Sequence, residues 1–148
     1  MSDKSTTLLS QCLKAQLERL VVLREYRKNI DDPYVTSALS FTIEDTQEAI
    51  ARVSSRLRQL GQVTPVEVSE ETTEKLLKQS RNRRPLADRI RFIYNGLVHQ
   101  QEWYGSHVKK LVKDADSQAI LVALAEQNRL RLERWENLMD EMKVSPNG

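Results

Sequence analysis

The sequence predicts an all-α domain: four long helices forming two antiparallel helical hairpins, joined by a long crossover. Three observations carry this. Good helix formers (Leu, Ala, Glu, Lys, Arg and Gln) dominate, while glycine and proline occur only four times each. Four stretches repeat apolar residues at three- and four-residue spacing, and none alternates with the period of a strand. Two of the connections between these stretches are short and one is long. At 148 residues the chain suits one domain with a real core.

The first helix spans about residues 7–30, with Leu9, Leu13, Leu17, Leu20, Val21 and Leu23 on its stripe. Asp31, Asp32 and Pro33 end it. The second spans about 34–60, with Asp32 as its cap and Pro33 in its first turn. Its stripe is Val35, Leu39, Ile43, Thr46, Ile50, Val53, Leu57 and Leu60, and Gly61 is a natural stop. Residues 62–84 are polar and contain Pro65. They predict a crossover with a short helix near Glu70–Gln79, capped by Ser69. Pro85 opens the third helix, about 86–113, whose stripe is Ile90, Ile93, Leu97, Gln101, Tyr104, Val108 and Leu111. The fourth, about 117–142, turns Leu121, Leu124, Asn128, Arg131, Trp135, Leu138 and Met142 inward, and the tail 143–148 should fray.

About three residues join the helices within each pair, and such loops make antiparallel neighbours. The middle connection is long enough to return along the bundle, which leaves the second and third helices parallel. A half-chain repeat is also visible. A shift of 82 positions brings Asp32 onto Asp114, Leu39 onto Leu121, Glu44 onto Glu126, Thr46 onto Asn128 and Val53 onto Trp135.

Charge and cysteine content narrow the function classes. The 23 basic and 21 acidic residues leave a net charge of +2, which gives no global case for nucleic acid. The single cysteine, Cys12, cannot form an internal disulfide, as expected in a reducing compartment. No apolar run approaches the roughly 20 residues that span a bilayer. The N-terminus is polar and unlike a secretory signal, so a cytoplasmic location is expected.

The stretches "DPYVTSALSFTIEDTQEAIARVSSRLRQLG" and "DADSQAILVALAEQNRLRLERWENLMDEM" resemble the ferritin-like family, of the rubrerythrin and small stress-protein kind. The resemblance implies a ferritin-like four-helix bundle. It also implies a Glu near Thr46, a His near Ala49, a Glu near Asn128 and a His near Arg131. All four positions are changed, and Glu-x-x-His occurs nowhere in the chain. The two histidines, His99 and His107, both fall on the third helix. A di-iron bundle needs imidazoles and bridging carboxylates together, and Arg131 would add positive charge where the metals sit. No conventional metal centre or cofactor is therefore expected.

Four groups of residues compete for a role. Glu18, Glu44, Glu48, Glu102 and Glu126 lie near mid-bundle height; they form either a relocated metal site or solvated flanks, and the flanks are favoured. Thr46, Gln101, Asn128 and Arg131 interrupt the apolar stripes at one level. They read as a polar core layer that sets helix register, with Arg131 paired to Glu102 or Glu18, or as groups that reach water. "YNGLVHQQEWYGSH" combines His99 and His107 with aromatic residues and Gly96 and Gly105, and reads as core packing or a dimer contact before a cofactor pocket. Arg81, Arg83, Arg84, Arg89 and Arg91 form a basic run that could dock an anion, RNA or an acidic partner, although a solvated helix start is the plainer reading. No nucleophile motif, phosphate-cradling loop or zinc spacing occurs, and Cys12 reads as a partly buried inert thiol.

The function that follows is non-catalytic. The expectation is a metal-free ferritin-like protein, stress-related in its resemblance, acting as an interaction or scaffold protein on a protein partner or a second copy of itself. Val22, Phe41, Phe92 and Trp103 are its candidate interface. One alternative is an enzyme or iron-handling protein with unconventional carboxylate and histidine ligands. Another is an arginine-directed adaptor for RNA or an acidic protein. No small-molecule substrate is identifiable from the residues.

Overall fold

The computed structural model describes residues 2–147 and is all-helical, with no strand among the described residues. The helices are α1 (Ser2–Asn29), α2 (Pro33–Gln59), α3 (Glu70–Asn82), α4 (Leu86–His107) and α5 (Ala115–Met142). A 3-10 turn, Val108–Leu111, links α4 to α5. At 1.5 Å rise per residue the longest helices reach roughly 40 Å. Among the described residues no helix is long and apolar enough to cross a membrane.

Local chemistry sets the helix ends. The Asp32 side chain accepts from the backbone N–H groups of Tyr34 and Val35, and Pro33 holds the first turn of α2. At the other end Gly61 adopts φ +84°, so its N–H reaches Arg58 O and the N–H of Gln62 reaches Leu57 O. This Schellman arrangement satisfies carbonyls that the helix leaves unpaired. Ser69 caps α3 through the N–H of Thr72, and Asp114 caps α5 through the N–H of Ser117.

Three boundaries depart from the sequence reading. α1 begins at Ser2 instead of near Thr7, because Ser5 and Leu8 are buried and extend the packed face toward the N-terminus. The third helix ends at His107, six residues short of Lys113. Its last turns tighten to 3-10, where the Gln118 side chain takes the Val108 carbonyl (3.1 Å) and Leu111 is buried. The tail does not simply fray: Val144 packs on the core and the Arg91 Nε donates to Ser145 O (2.6 Å).

Two apolar clusters fill the bundle. One gathers Leu20–Ile30 of α1, Val35–Ile43 of α2, Ile90–Leu97 of α4 and Trp135–Met139 of α5. The other gathers Leu8–Leu17 of α1, Ala49–Leu57 of α2, Tyr104 of α4, Leu111 and Leu121–Leu124 of α5. Hence α1 and α5 run one way and α2 and α4 the other. α1 packs on α2, α4 on α5, and α2 on α5, while α1 and α4 touch only sparingly and α3 lies against α1. Val22, expected at an interface, belongs to the first cluster at 6% exposure, because α3 covers that side of α1.

The hairpin ends are tied by Arg56 of α2. It donates to Asp114 (Nη2 to Oδ1, 2.9 Å) and to Ser117 (Nε to Oγ, 2.9 Å). Partial desolvation raises the Asp114 carboxyl, but hydrogen bonds from Ser117 and Ser5 and the Arg56 charge outweigh this and hold it well below the ordinary carboxylate range. A depressed folded-state value stabilises the fold above the unfolded value, near pH 4, and the gain fades as pH falls below that.

Two measurements check these joints. Gly61→Ala should lose about 1 kcal/mol in urea unfolding, since alanine is strained at positive φ. Asp114→Asn should lose about 1–3 kcal/mol at pH 7 and progressively less below pH 4, when wild type and variant are melted side by side.

Candidate functional site

Between the two apolar clusters lies a polar mid-section, to which all four long helices contribute. α1 supplies Gln16 and Arg19, α2 supplies Thr42, Asp45 and Thr46, α4 supplies Gln100 and Gln101, and α5 supplies Gln127, Asn128 and Arg131. It surrounds a central cavity of about 20 Å³, room for about one water molecule.

The four residues singled out in sequence divide into separate contacts. Asn128 is 9% exposed, and its amide donates to Leu97 O (3.0 Å) and Gln101 Oε1 (2.7 Å), so these two join α5 to α4. Thr46 is buried but turns its hydroxyl onto its own helix, donating to Thr42 O at 2.8 Å. Arg131 pairs with Asp45, not with Glu102 or Glu18: its Nε lies 2.5 Å from Asp45 Oδ2, and both side chains are about one-fifth exposed. Gln127 donates to the other oxygen of Asp45 (3.1 Å) and to Glu48 (3.0 Å). Asp45 faces α5 directly, one residue along from Glu44, so it captures the arginine first.

The rest of the mid-section escaped the sequence reading. Thr42 accepts from the Trp135 indole N–H (2.9 Å) while donating to Ala38 O. The Arg19 Nη2 donates to Gly96 O (2.9 Å) and to Gln100 Oε1 (3.1 Å). Burial pulls the guanidinium down from its ordinary value; the Tyr104 hydroxyl and the Cys12 thiol oppose this. Burial likewise pushes Tyr104 up, and Cys12 up to about 11, so both neighbours are neutral near pH 7. The expected inert thiol is thus a buried one beside Tyr104. Gln100, not Gln101, is the deeply buried amide of α4, at 6% exposure. Arg19 and Gln100 were legible only as flank residues, since a charged residue beside Leu17 and Leu20 usually points to water.

The five glutamates do not converge. Glu44, Glu48, Glu102 and Glu126 are exposed and Glu18 is half-buried. Glu126 is paired to Arg129 on its own helix, whose hydrogen bond draws the carboxyl below its ordinary range. Among the described residues no group of three or more His, Cys, Asp or Glu side chains is placed to hold a metal ion. His99 is exposed, while the His107 ring stacks on Trp103 (4.6 Å) with its Nδ1 2.8 Å from Trp103 O.

The arginine run is largely spent on the fold. Arg81 pairs with Glu25 of α1 (3.0 Å), and Arg83 donates to the Tyr26 hydroxyl while stacking on Phe92 at 3.5 Å. Arg89 donates to Arg83 O and Asn29 O, and Arg91 pairs with Asp88 (3.0 Å). Arg84 is exposed. These contacts staple α3 and the start of α4 to α1, which explains arginines at a helix start where the dipole disfavours them.

The Asn128–Gln101 pair is open to a double-mutant cycle. Asn128→Leu should lose about 1–3 kcal/mol in urea unfolding, because the Gln101 amide is left unpaired. Adding Gln101→Leu should recover part of that loss, a coupling of about 0.5–1.5 kcal/mol; strict additivity would remove the contact as an energetic feature.

No family model, no curated protein and no solved structure matches this chain.

Proposed function

We propose that the chain is a metal-free member of the ferritin-like class that works by holding a protein surface, either a partner's or a second copy's. The observation that carries this reading is the makeup of the mid-section. Where such a bundle would hold ligands, this one has amides, hydroxyls and an Arg131–Asp45 pair that bond one another and the backbone. Its glutamates face outward or edge a surface cleft. Two antiparallel hairpins joined by a 26-residue connection that includes α3 support this reading, since such a bundle needs a long crossover.

The α2–α5 flank is the surface assigned to the partner. Tyr34 and Phe41, one heptad apart on α2, are 72% and 43% exposed. Arg134 and Arg131 lie over the Phe41 ring at 4.5 Å and 5.5 Å. Exposed aromatic rings with arginines are the residues that interface centres favour. Phe92 and Trp103, the other interface candidates, are engaged by Arg83 and by Tyr104 and His107.

Metal content and mass test this together. Protein purified without chelator should carry far less than one iron per chain; two irons with an oxo-bridge absorption would overturn the proposal. Light scattering on the eluting peak should show twice the 17.1 kDa chain mass, and Tyr34→Ala/Phe41→Ala should return the monomer. A monomer at every concentration would leave a separate partner as the only form of the reading.

A further inference from the structure

The sparing contact between α1 and α4 leaves a second opening. A cleft of about 240 Å³ runs between α1, α3 and α4 into the bundle. Its walls are mostly apolar, with Val22, Leu23, Leu76, Phe92 and Ile93, and Thr42 adds a hydroxyl. Gly96 lies beside Arg19: a β-carbon there would sit 3.9 Å from the Arg19 Nη2. Arg19 stands at the inner end, where it also borders the central cavity.

The state of Arg19 is what points to a ligand. Its Nη2 is occupied by Gly96 O and Gln100 Oε1, while Nε and Nη1 make no hydrogen bond within the described residues. No carboxylate among them lies within ion-pair distance of it, whereas Arg56, Arg81, Arg91, Arg129 and Arg131 each have one. Tyr104 and Cys12, the ionisable groups that bear on its charge, are neutral at pH 7. A guanidinium remains charged under these conditions. Since no fully buried side-chain nitrogen among the described residues lacks a partner, Nε and Nη1 of this half-buried charge remain accessible, where a counter-ion can meet them. Glu18 also borders the cleft, but it precedes Arg19 on the helix and forms no ion pair with it.

We propose that this cleft binds an apolar monocarboxylate. The carboxylate meets the free Nε and Nη1 of Arg19, and an alkyl or aryl tail lies along Val22, Leu76 and Phe92. The two parallel N–H groups of a guanidinium match a carboxylate's two oxygens. The volume corresponds to about eight water-sized units, the room for a medium-chain acyl or a phenylalkyl tail. The apolar walls reject short polar anions, and Glu18 at the border disfavours a second negative charge. This site is independent of the α2–α5 flank, so either assignment can fail alone.

The test uses the full chain titrated with octanoate and with 3-phenylpropanoate, against octanol and acetate, by calorimetry and by amide chemical shifts. Saturable one-to-one binding of at least one long acid is expected, with shifts at Val22, Leu76 and Gly96. The arm that binds more tightly tells an alkyl from an aryl tail. Octanol and acetate should each bind at least tenfold more weakly, and Arg19→Gln should weaken the acid by about ten- to a hundredfold. Because Arg19→Gln could unsettle the fold, Ala15→Trp supplies a second route. Ala15 is an exposed residue at the cleft wall, and a tryptophan there should block the acid while leaving the melting temperature unchanged. No saturable binding of either acid, equal binding of octanol, or full binding by a folded Arg19→Gln protein would each overturn the proposal.

Discussion

A polar side chain carried into a helical bundle must find its partner there, because water cannot supply one, and the middle of this molecule is organised around that requirement. Every fully buried side-chain nitrogen and oxygen among the described residues has a hydrogen-bond partner. The partners come from across the bundle: Trp135 to Thr42 joins α5 to α2, Asn128 to Leu97 joins α5 to α4, and Arg19 to Gly96 joins α1 to α4. The apolar clusters on either side would tolerate sliding, since leucine packs on leucine in more than one register. These directional bonds do not, and they fix how far each helix is advanced against its neighbours.

Much of the fold was legible because it rests on short-range rules. Asp32, Pro33, Gly61 and Ser69 do what those residues do at helix ends anywhere, and the apolar stripes needed only a period. The repeat at 82 positions also has a physical basis in the structure: Asp32 and Asp114 both cap helices, Leu39 and Leu121 are both fully buried, and Thr46 and Asn128 both lie in the polar mid-section. What failed were positions decided by a neighbour on another helix. Ser5 is buried because Asp114, the cap of α5, meets it, and Val22 is buried because α3 lies over it.

The site was legible in part for the same reason. Asn128 and Thr46 stood out because polar residues interrupted an apolar stripe. Arg19 did not, since a charge next to such a stripe is usually a solvated flank, and only the opposed α4 backbone turns it inward. Arg131 meets Asp45 instead of the expected Glu102 or Glu18: reasoning by height along the helix cannot tell Asp45 from the longer glutamates around it. The arginine run shows the converse error. A cluster of like charges looks like a docking patch in one dimension, yet folding distributes Arg81, Arg83 and Arg89 among Glu25, Tyr26 and Asn29 of α1.

The arrangement of the two hairpins bears on how the chain assembles. α1 and α2 adjoin through three residues and share the most extensive helix contact in the molecule, so their pairing closes a short loop. α4 and α5 pair in a similar way, through the seven residues 108–114. Each half can therefore zip locally and quickly, and the first can do so while the ribosome is still adding the second. Docking of the two halves then draws α3 across α1 and brings the mid-section amides and guanidinium to their opposite numbers.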